Sequence, residues 1–260
     1  MDTPHRLPMT AVVVARNEAD RIGRCIGSLV PLCAEVLVLD SGSTDDTVQI
    51  ARQAGARVEF QHWLGFVGQK NLAISRSSHE WVLLLDADEW LGDGAAGVLA
   101  ALFAGGRVDT RDAWTLVRRT HFLGAPLRHG GWGRESVQRL FRRRFRYAPA
   151  LVHERLDLRG ARIGDCGARI EHDTARNRDE YVAKLDRYAQ LFAQQRHAEG
   201  KRANALSPAS HALFYVLKNA ILRGGFLDGP RGWQYHAAHT RYVWNKYRYL
   251  HDLPAAGPQH

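Results

Sequence analysis

Four carboxylates stand at the ends of two apolar runs, and their types and spacing suit metal chemistry. Asp86 and Asp88 form an Asp-x-Asp pair in WVLLLDADEW, Glu89 follows directly, and Asp40 ends the earlier run EVLVLD. Acids gathered in one place repel one another and lose hydration, and a divalent cation removes both penalties. Carboxylate oxygens favour Mg²⁺ or Mn²⁺. Such a metal would bridge two phosphates and stabilise a departing diphosphate, which is the chemistry of a nucleotide sugar.

An isolated Asp-x-Asp pair has a common alternative, a turn in which the two carboxylates cover exposed backbone amides. The context of Asp86 and Asp88 favours the metal. The pair ends the most apolar strand segment of the chain and follows another strand segment that also ends in an aspartate, Asp40. We therefore treat this part of the chain as the predicted reaction site.

The elements that position these acids are predicted by alternation along the chain. From Thr10 to Arg119, apolar runs alternate with helical patterns. This alternation predicts βαβ units and an α/β fold with a Rossmann-like, mostly parallel sheet. The segments TAVVVA, EVLVLD and WVLLLD are apolar throughout, as expected when helices cover both faces of the sheet. Ligands bind at the carboxyl ends of parallel strands, so Asp40 and Asp86 are predicted to reach the same edge.

The character of the sequence changes twice after Arg119. Shorter segments punctuated by glycine come first, and helical patterns fill the chain from about Arg178. We predict a catalytic domain over residues 1–175, with a nucleotide-sugar half at about 1–105 and an acceptor half at about 106–175. Residues 176–260 are predicted to form a C-terminal helical region.

Composition narrows the protein class. The chain has 260 residues, 45% of them hydrophobic, and a formal net charge of +9. That length supports one substantial core with a smaller appendage. No signal-peptide region or bilayer-spanning stretch is evident, so a cytoplasmic protein is expected. The charge favours nucleic acid, acidic lipid headgroups or phosphorylated substrates as partners. Without a C-x-x-C pair, the three cysteines are predicted to be reduced core residues: Cys25, Cys33 and Cys166.

Four motifs occur together and in order, namely VVVARNEADRI, VLVLDSGSTDDT, GFVGQKN and WVLLLDADEW. In this arrangement they resemble the family 2 glycosyltransferases, which have the GT-A fold. Later segments, HGGWGRESVQRLFRR, LVHE, KLDRY and RGGFLDG, are similar to the lipopolysaccharide-core branch that adds β-1,4-glucose to an inner-core heptose. The resemblance implies a UDP-sugar donor, an anionic lipid-linked acceptor and Mg²⁺ or Mn²⁺. Glucose is the expected sugar, although the sequence does not separate it from galactose or an N-acetylated sugar.

The resemblance also assigns donor-binding roles. Residues after the first two strands would hold uracil and ribose: Asn17, Glu18, Asp40 and Ser41. For Asn17 and Glu18, helix-start chemistry before DRIGRC is an equal alternative. Lys70 is a candidate for the diphosphate, although an isolated lysine is usually a solvated surface charge.

The metal ligands are implied in the same way. Asp86, followed by Ala87, would lie beside the ribose or in the metal shell, and Asp88 would bind the metal directly. A histidine is often a further ligand in GT-A enzymes, and His172 and His153 are the candidates. For any one histidine, a surface position or a hydrogen-bonded core position is the commoner outcome.

An inverting transfer needs a base that takes the acceptor proton while the acceptor oxygen attacks opposite the departing UDP. The resemblance implies Glu154, in LVHE, with Asp93 and Glu135 in reserve. The alternative for Glu154 is an ion pair with an arginine at a strand edge. Acceptor contacts are implied for three further residues: Trp132, Arg139 and Glu89.

Two basic stretches suit an anionic, lipid-linked acceptor. RLFRRRFRY holds five arginines, which either bind phosphate or form a solvated strand face. The last helical pattern combines aromatic residues with cations, which suits contact with the inner-membrane surface. Packing of these aromatics onto the catalytic domain is an equal alternative. The residues are Trp233, Tyr235, Tyr242, Trp244, Tyr247 and Tyr249 with Arg231, Arg241, Lys246 and Arg248.

Two other functional classes fit less well. A haloacid-dehalogenase-like phosphohydrolase uses D-x-D-x-T/V near the chain start, with the first Asp as nucleophile. Here Trp90 fills the last place of that motif, and three βα units precede it. A nucleic-acid-binding module would account for the charge, but no helix-turn-helix, zinc-finger or RNP signature occurs. No G-x-G-x-x-G or P-loop motif follows the first strand. We therefore expect no nucleic-acid partner.

Overall fold

The computed structural model describes residues 6–149 and 155–254. Glu154 and His153, both named above, lie outside these ranges. Within the described residues the chain forms two compact units. The first unit holds residues 6–119, 135–149 and 155–172, and the second unit holds residues 120–134 and 173–254.

Strands and helices alternate in the first part of the chain, as predicted. The strands are β1 (Leu7–Ala15), β2 (Cys33–Asp40), β3 (Arg57–Phe60), β4 (Trp81–Asp86), β5 (Glu89–Leu91), β6 (Ala113–Phe122), β7 (Ala125–Pro126), β8 (Glu135–Arg142) and β9 (Ile163–Asp173). The α-helices are α1 (Ile22–Leu29), α2 (Thr47–Gln53), α3 (Gly65–Ser75), α4 (Ala95–Ala104), α5 (Arg178–Ala198), α6 (Ser207–Tyr215) and α7 (Gly229–Asp252).

The sheet has the order β3-β2-β1-β4-β8-β6-β9-β5, with β7 paired to β6. Strands β1 to β4 run parallel, whereas β8 pairs antiparallel with β4 and β6, and β5 pairs antiparallel with β9. The predicted α/β fold, with parallel strands flanked by helices, is confirmed. The antiparallel strands extend the sheet beyond the alternating βα part.

The three central parallel strands are buried on both faces, which explains their continuous apolar sequences. Neighbouring residues of β4 such as Leu83 and Leu84 point to opposite faces, and both are fully buried. On α1, Ile22, Cys25, Ile26 and Leu29 recur at helical spacing and pack into this core. Cys25, Cys33 and Cys166 are buried and unpaired, so the prediction of reduced core cysteines is confirmed.

Strand register brings the predicted acids to one edge. Asp40 lies opposite Ala15 in the β1–β2 pair, and Asp86 lies opposite Val14 in the β1–β4 pair. The two aspartates therefore flank the carboxyl end of the same strand, β1. This placement confirms the expectation that both acids reach the same rim of the sheet.

The second unit is mainly helical. Its core combines aromatic and aliphatic side chains, namely Phe122, Leu127, Ala175, Tyr181, Leu185, Tyr235 and Ala238. Beyond α6 the chain continues as a π-helix over Val216–Leu222, and a 3-10 turn at Gly225–Asp228 leads into α7. Residues 120–134, which the sequence placed with the acceptor half, pack within this unit. Among the helices of the described residues, none has the length and hydropathy required to cross a bilayer.

Candidate active site

Asp86 is the centre of the polar edge of the first unit. Its Oδ1 lies 3.3 Å from Lys70 Nζ on α3, and its Oδ2 accepts a 2.8 Å hydrogen bond from Arg139 Nη2 on β8. Lys70 and Arg139 are themselves buried. Burial opposes the charged form of Asp86, but the positive charges of Lys70 and Arg139 outweigh it and hold its pKa well below the ordinary range. Asp86 is therefore ionised at neutral pH.

Glu89 extends this arrangement inward. Its side chain is 0% exposed, and its Oε1 accepts hydrogen bonds from Arg139 at 2.6 Å and from Arg118 at 3.3 Å. Its Oε2 accepts the backbone N–H of Asp86 at 3.1 Å. Glu89 thereby holds both the cation that contacts Asp86 and the backbone of Asp86 itself.

Arg118 completes a chain of alternating charges by donating to Glu135 at 2.5 Å. We call this chain the charged network; it runs through Glu135, Arg118, Glu89, Arg139, Asp86 and Lys70. Every charge in it contacts at least one opposite charge, which matters most for buried Glu89 and Arg139, because an unpaired buried charge is costly. The network places Asp86 at the sheet edge with little freedom to turn away.

Asp88 lies beside the charged network and faces a histidine. Its Oδ2 is 3.4 Å from His172 Nε2 and 3.7 Å from Arg21 Nη1. His172 is brought there by the antiparallel β5–β9 pair, in which it stands opposite Glu89. Nε2 is thus the ring nitrogen that lies near Asp88. The other ring nitrogen, Nδ1, is buried without a hydrogen-bond partner among the described residues.

The chemistry of these side chains fits a divalent cation that is shared with substrate. No cluster of three or more His, Cys, Asp or Glu side chains suited to a metal occurs in residues 6–149 and 155–254. Mg²⁺ usually takes one or two protein ligands and completes its shell with phosphate oxygens and water, so a full protein cage is not required. Asp88 and His172, which lie 3.4 Å apart, could supply such a pair of ligands.

Asp40 organises the loop after β2. Its Oδ2 accepts the backbone N–H groups of Gly42 at 2.9 Å and Ser43 at 3.0 Å, and its Oδ1 accepts the Ser43 hydroxyl at 2.5 Å. Gly42 has a φ of +95°, a conformation that favours glycine. The next residue, Ser41, is buried and donates its hydroxyl to the carbonyl of Ala15 at 3.1 Å. The carboxylate of Asp40 thus shapes the loop in which it sits.

Asn17 and Glu18 tie the loop after β1 to the loop after β2. Asn17 has a φ of 55°, and its Oδ1 accepts the backbone N–H of Thr44 at 2.8 Å. The backbone N–H of Glu18 donates to the Thr47 hydroxyl at 2.8 Å. Helix α1 begins at Ile22, and the backbone carbonyl of Glu18 accepts the N–H groups of Arg21 at 2.9 Å and Ile22 at 2.8 Å, so Glu18 does take part in the helix start. Asn17 therefore bridges two loops, a role that the helix-start alternative did not include.

The remaining predicted residues lie in varied settings. Ala87 is buried between the two aspartates, Asp93 is exposed, and Glu135 is paired with Arg118. Trp132 belongs to the second unit, where its ring centroid lies 5.5 Å from that of Tyr235 and 4.9 Å from that of His239. Glu154, predicted to be the base, and His153 lie outside the described residues.

The arginines of the stretch RLFRRRFRY have different partners. Arg139 belongs to the charged network, whereas Arg142 donates to Asp109 at 2.7 Å and Arg144 donates to Asp112 at 2.6 Å. These two arginines have local carboxylate partners near the surface. Of the five arginines, Arg139 is the one that contacts the predicted site.

Arg21 and Arg118 contact the site acids, and the sequence did not single them out. For Arg118 a signal existed: Trp114 and Leu116 precede it at alternate positions of β6 and are both buried, so strand periodicity points Arg118 to the same side. For Arg21 the contact with Asp88 depends on how α1 meets the loop after β4, and no local pattern encodes that.

Comparisons with known proteins agree with this geometry. The family model described as "Glycosyl transferase family 2" matches residues 10–154. The lipopolysaccharide core biosynthesis glycosyltransferase LpsC of Rhizobium meliloti (strain 1021) is 31% identical over 87% of this chain and 88% of its own length. The succinoglycan biosynthesis protein ExoU of the same strain is 27% identical, covering 95% of this chain and 79% of its own.

A solved structure shares the fold. The mannosyltransferase PcManGT from Pyrobaculum calidifontis, in complex with GDP-Man and Mn2+, has a TM-score of 0.50 and 17% identity, covering 98% of this chain and 79% of that chain. At that identity the likeness concerns the fold alone. The predicted GT-A architecture is confirmed.

Proposed function

Because this chain belongs to glycosyltransferase family 2, we propose that it is a metal-dependent inverting enzyme that transfers glucose from UDP-glucose to a heptose of the lipopolysaccharide inner core. The observation that carries the proposal is the pairing of Asp88 with His172 beside an ionised Asp86 at the carboxyl edge of the sheet. The acceptor is supported by the 31% identity to the lipopolysaccharide core glycosyltransferase of Rhizobium meliloti.

The donor is proposed to bind across the loops after β1, β2 and β4. Asn17, Glu18, Asp40 and Ser41 would meet the nucleoside, and the hydrogen bonds between the first two loops support this by making one preformed surface. Asp86 and Ala87 would lie beside the ribose. Lys70, buried near Asp86, would place its ammonium group next to the diphosphate.

Asp88 and His172 are the proposed protein ligands of Mg²⁺ or Mn²⁺. When bound, the cation supplies positive charge to the departing diphosphate. The charged network contributes by holding Asp86 and Lys70 in place before substrate arrives, so little reorganisation is needed during the reaction. Glu89 and Arg139, first assigned to the acceptor, are proposed to act through Asp86 instead, because both are buried and bonded to it.

The proton of the acceptor hydroxyl is proposed to pass to Glu154. As that proton leaves, the acceptor oxygen attacks the anomeric carbon from the face opposite UDP, which inverts the configuration. Asp93 and Glu135 remain reserve candidates, and Glu135 is the weaker one because Arg118 already pairs with it. Trp132 stays a predicted acceptor contact. Because the proposed acceptor is lipid-linked, the enzyme is proposed to work at the cytoplasmic face of the inner membrane.

A donor screen tests the reaction. Hydrolysis and transfer are measured with UDP-glucose, UDP-galactose, UDP-N-acetylglucosamine and GDP-mannose, each with Mn²⁺ and with EDTA. We expect UDP-glucose to be preferred and EDTA to abolish turnover. A preference for GDP-mannose, or full activity in EDTA, would contradict the donor or the metal.

An acceptor series tests the second half of the proposal. Lipopolysaccharides truncated at successive inner-core sugars are offered with the preferred donor, and transfer is expected only when the heptose is present. The relative in succinoglycan biosynthesis favours a second candidate, an acceptor from another surface polysaccharide. Transfer to such a glycan, with none to any inner-core acceptor, would establish that alternative.

A further inference from the structure

The second unit carries an unusual concentration of exposed apolar side chains. Of the fifteen large apolar side chains that are exposed among the described residues, ten lie between Leu206 and Trp244. We call the aliphatic and phenyl members the apolar face: Leu206, Leu213, Phe214, Leu217, Ile221, Leu222, Phe226 and Leu227. Single exposed apolar residues are normal, whereas a dense group of them marks an interaction surface.

The apolar face belongs to elements whose other side is firmly packed. His211 stacks on Tyr247 of α7 with ring centroids 3.7 Å apart, and Tyr215 bonds His236 of α7 at 3.0 Å. Ala212 and Ala220 are buried on the same packed side. The exposure of Phe214 (61%) and Leu222 (82%) is therefore a property of a fixed helical surface.

A shallow groove adjoins this face. It has a volume of about 430 Å³ and lies between the π-helix, through Val216 and Ala220, and α7, through Trp233 and Trp244. Its single charged lining residue is Arg241. An apolar groove flanked by two tryptophans with a guanidinium group beside it suits the boundary between lipid headgroups and acyl chains.

The segment that carries the apolar face is almost entirely positive in charge. Residues 201–250 contain one acid, Asp228, which is buried and already accepts from the backbone N–H and ring of His129. The same stretch contains eight cations, namely Lys201, Arg202, Lys218, Arg223, Arg231, Arg241, Lys246 and Arg248. The partner of this surface is therefore expected to carry negative charge.

We infer that the apolar face docks the enzyme on a bilayer that contains anionic phospholipid, with its helices lying in the plane of the headgroups. Apolar side chains enter the acyl boundary while the surrounding cations meet phosphate groups, each cation adding roughly 1 kcal/mol at an anionic surface. A second copy of the chain is a poorer occupant, because it would bring like charges together. The proposed function enters this inference at one point: it supplies the reason for docking, which is access to a lipid-linked acceptor.

This surface differs from the one that the sequence indicated. The sequence pointed to the aromatics of α7, yet Tyr235 is buried in the core of the second unit and Tyr249 bonds Asp186. The residues that face outward belong mainly to α6, the π-helix and the 3-10 turn. Trp233 and Trp244 are the α7 aromatics that stay exposed.

Vesicle flotation of the full chain tests the inference without any sugar donor. Vesicles of phosphatidylcholine alone are compared with vesicles that also contain phosphatidylglycerol. We expect the protein to float with the anionic vesicles and to bind them several-fold less at high salt, because salt screens the cations. Failure to float with anionic vesicles at low salt would overturn the inference.

Two double variants locate the docking surface. Phe214→Glu/Leu222→Glu should reduce binding to anionic vesicles at least about tenfold, because two large apolar side chains no longer leave water. Lys218→Glu/Arg231→Glu should reduce it by about tenfold or more through charge alone. The matched control is Ile163→Glu, which alters a side chain of the first unit that is 45% exposed and should float like wild type.

Stability and activity assays distinguish a loss of docking from a loss of folding or catalysis. Both double variants should keep wild-type urea unfolding, donor hydrolysis and transfer to a water-soluble core oligosaccharide. Wild-type flotation by Phe214→Glu/Leu222→Glu would overturn the inference, as would a concentration-dependent dimer that this variant abolishes. If flotation behaves as expected while no UDP-sugar is transferred, the proposed reaction fails and the docking surface stands.

Discussion

The polar groups that stand out in the two units differ in charge. In the first unit they are ionised: buried Glu89 and Arg139 and half-buried Asp86 compensate one another. In the second unit a buried pair is neutral: Tyr181 bonds His239 at 2.6 Å, and aromatic rings surround the pair. A buried charge is costly to keep unless it is paired, so its presence beside an open edge indicates ligand chemistry.

Burial also moves the pKa values of the neutral pair in the direction that keeps it uncharged. It lowers the pKa of His239 to about 3, with help from the positive charges of His236 and Lys246. It raises the pKa of Tyr181 well above its ordinary range. The Tyr181–His239 pair of the second unit therefore resists charge, whereas the charged network of the first unit depends on it, and mutations should separate the two behaviours.

The largest effect is expected from Arg139→Met, which removes the cation shared by Asp86 and Glu89. Breaking a buried pair in this way should lower the free energy of unfolding by about 3 to 5 kcal/mol, measured by urea denaturation. The control is Arg144→Met, at an exposed arginine paired with Asp112, which should cost less than about 1 kcal/mol.

A double variant tests whether the lost stability comes from the carboxylates that Arg139 contacts. Arg139→Met/Glu89→Met should recover part of the lost stability, because one of the two carboxylates that Arg139 paired with is gone. It should not recover transfer, because Asp86 then lacks the bonds that it receives through Arg139 and Glu89. Equal stability of Arg139→Met and wild type would contradict a network of mutually dependent charges.

Asp88→Ala should remove metal-dependent turnover while the protein stays folded. A lost metal ligand weakens stabilisation of the departing diphosphate, so kcat should fall by about 10²-fold or more. The assay is donor hydrolysis over a Mn²⁺ titration. Glu80→Ala, at an exposed acid just before β4, is the control and should retain activity. Unchanged Mn²⁺ dependence in Asp88→Ala would exclude Asp88 from the metal site.

Glu154→Gln should slow transfer by about 10²-fold, the usual scale for a missing general base, while UDP binding is retained. Calorimetric titration with UDP and an acceptor-transfer assay measure the two properties separately. Near-normal transfer would move the base elsewhere, and Asp93→Asn would be the next variant to assay.

The smallest effect concerns pH and the second unit. The unfolded chain protonates His239 below about 6.5, whereas the folded protein keeps it neutral down to a pKa of about 3. The unfolded state therefore binds more protons in that window, and stability falls as pH falls, by about 2 kcal/mol at pH 5 relative to neutrality.

His239→Gln tests this dependence. The variant should unfold in urea with a smaller difference between pH 7 and pH 5 than wild type, whatever its absolute stability. His251→Gln, at an exposed histidine near the end of α7, should keep the wild-type difference. An unaltered pH dependence in His239→Gln would assign the effect to other groups.

Much of the first unit follows from local sequence patterns. Continuous apolar runs alternating with helical segments predicted β1 to β4, and parallel register then brought Asp40 and Asp86 to one rim. The partners of those acids were not predictable in the same way. Arg139 and His172 arrive on antiparallel strands far along the chain, and their register with β4 and β5 depends on long-range pairing.

In the second unit, local sequence patterns predicted the helices but not their packing. Helical periodicity predicted that its segments are helices, but not which side of each would be covered. Tyr235 and Phe214 are both aromatic residues in amphipathic helices, yet one is buried and the other exposed. Burial here depends on how α5, α6 and α7 pack against one another.

The sequence by itself determined the order of strands and helices, the carboxylates at the strand ends and the excess of positive charge, because each is a property of residues near one another in the chain. Tertiary structure alone decided that Asp86 is held by Lys70 and Arg139, that Asp88 faces His172, and that the apolar face lies on α6 and the π-helix. The physical reason is that pairing and burial are set by register and packing between distant segments, which no local pattern contains.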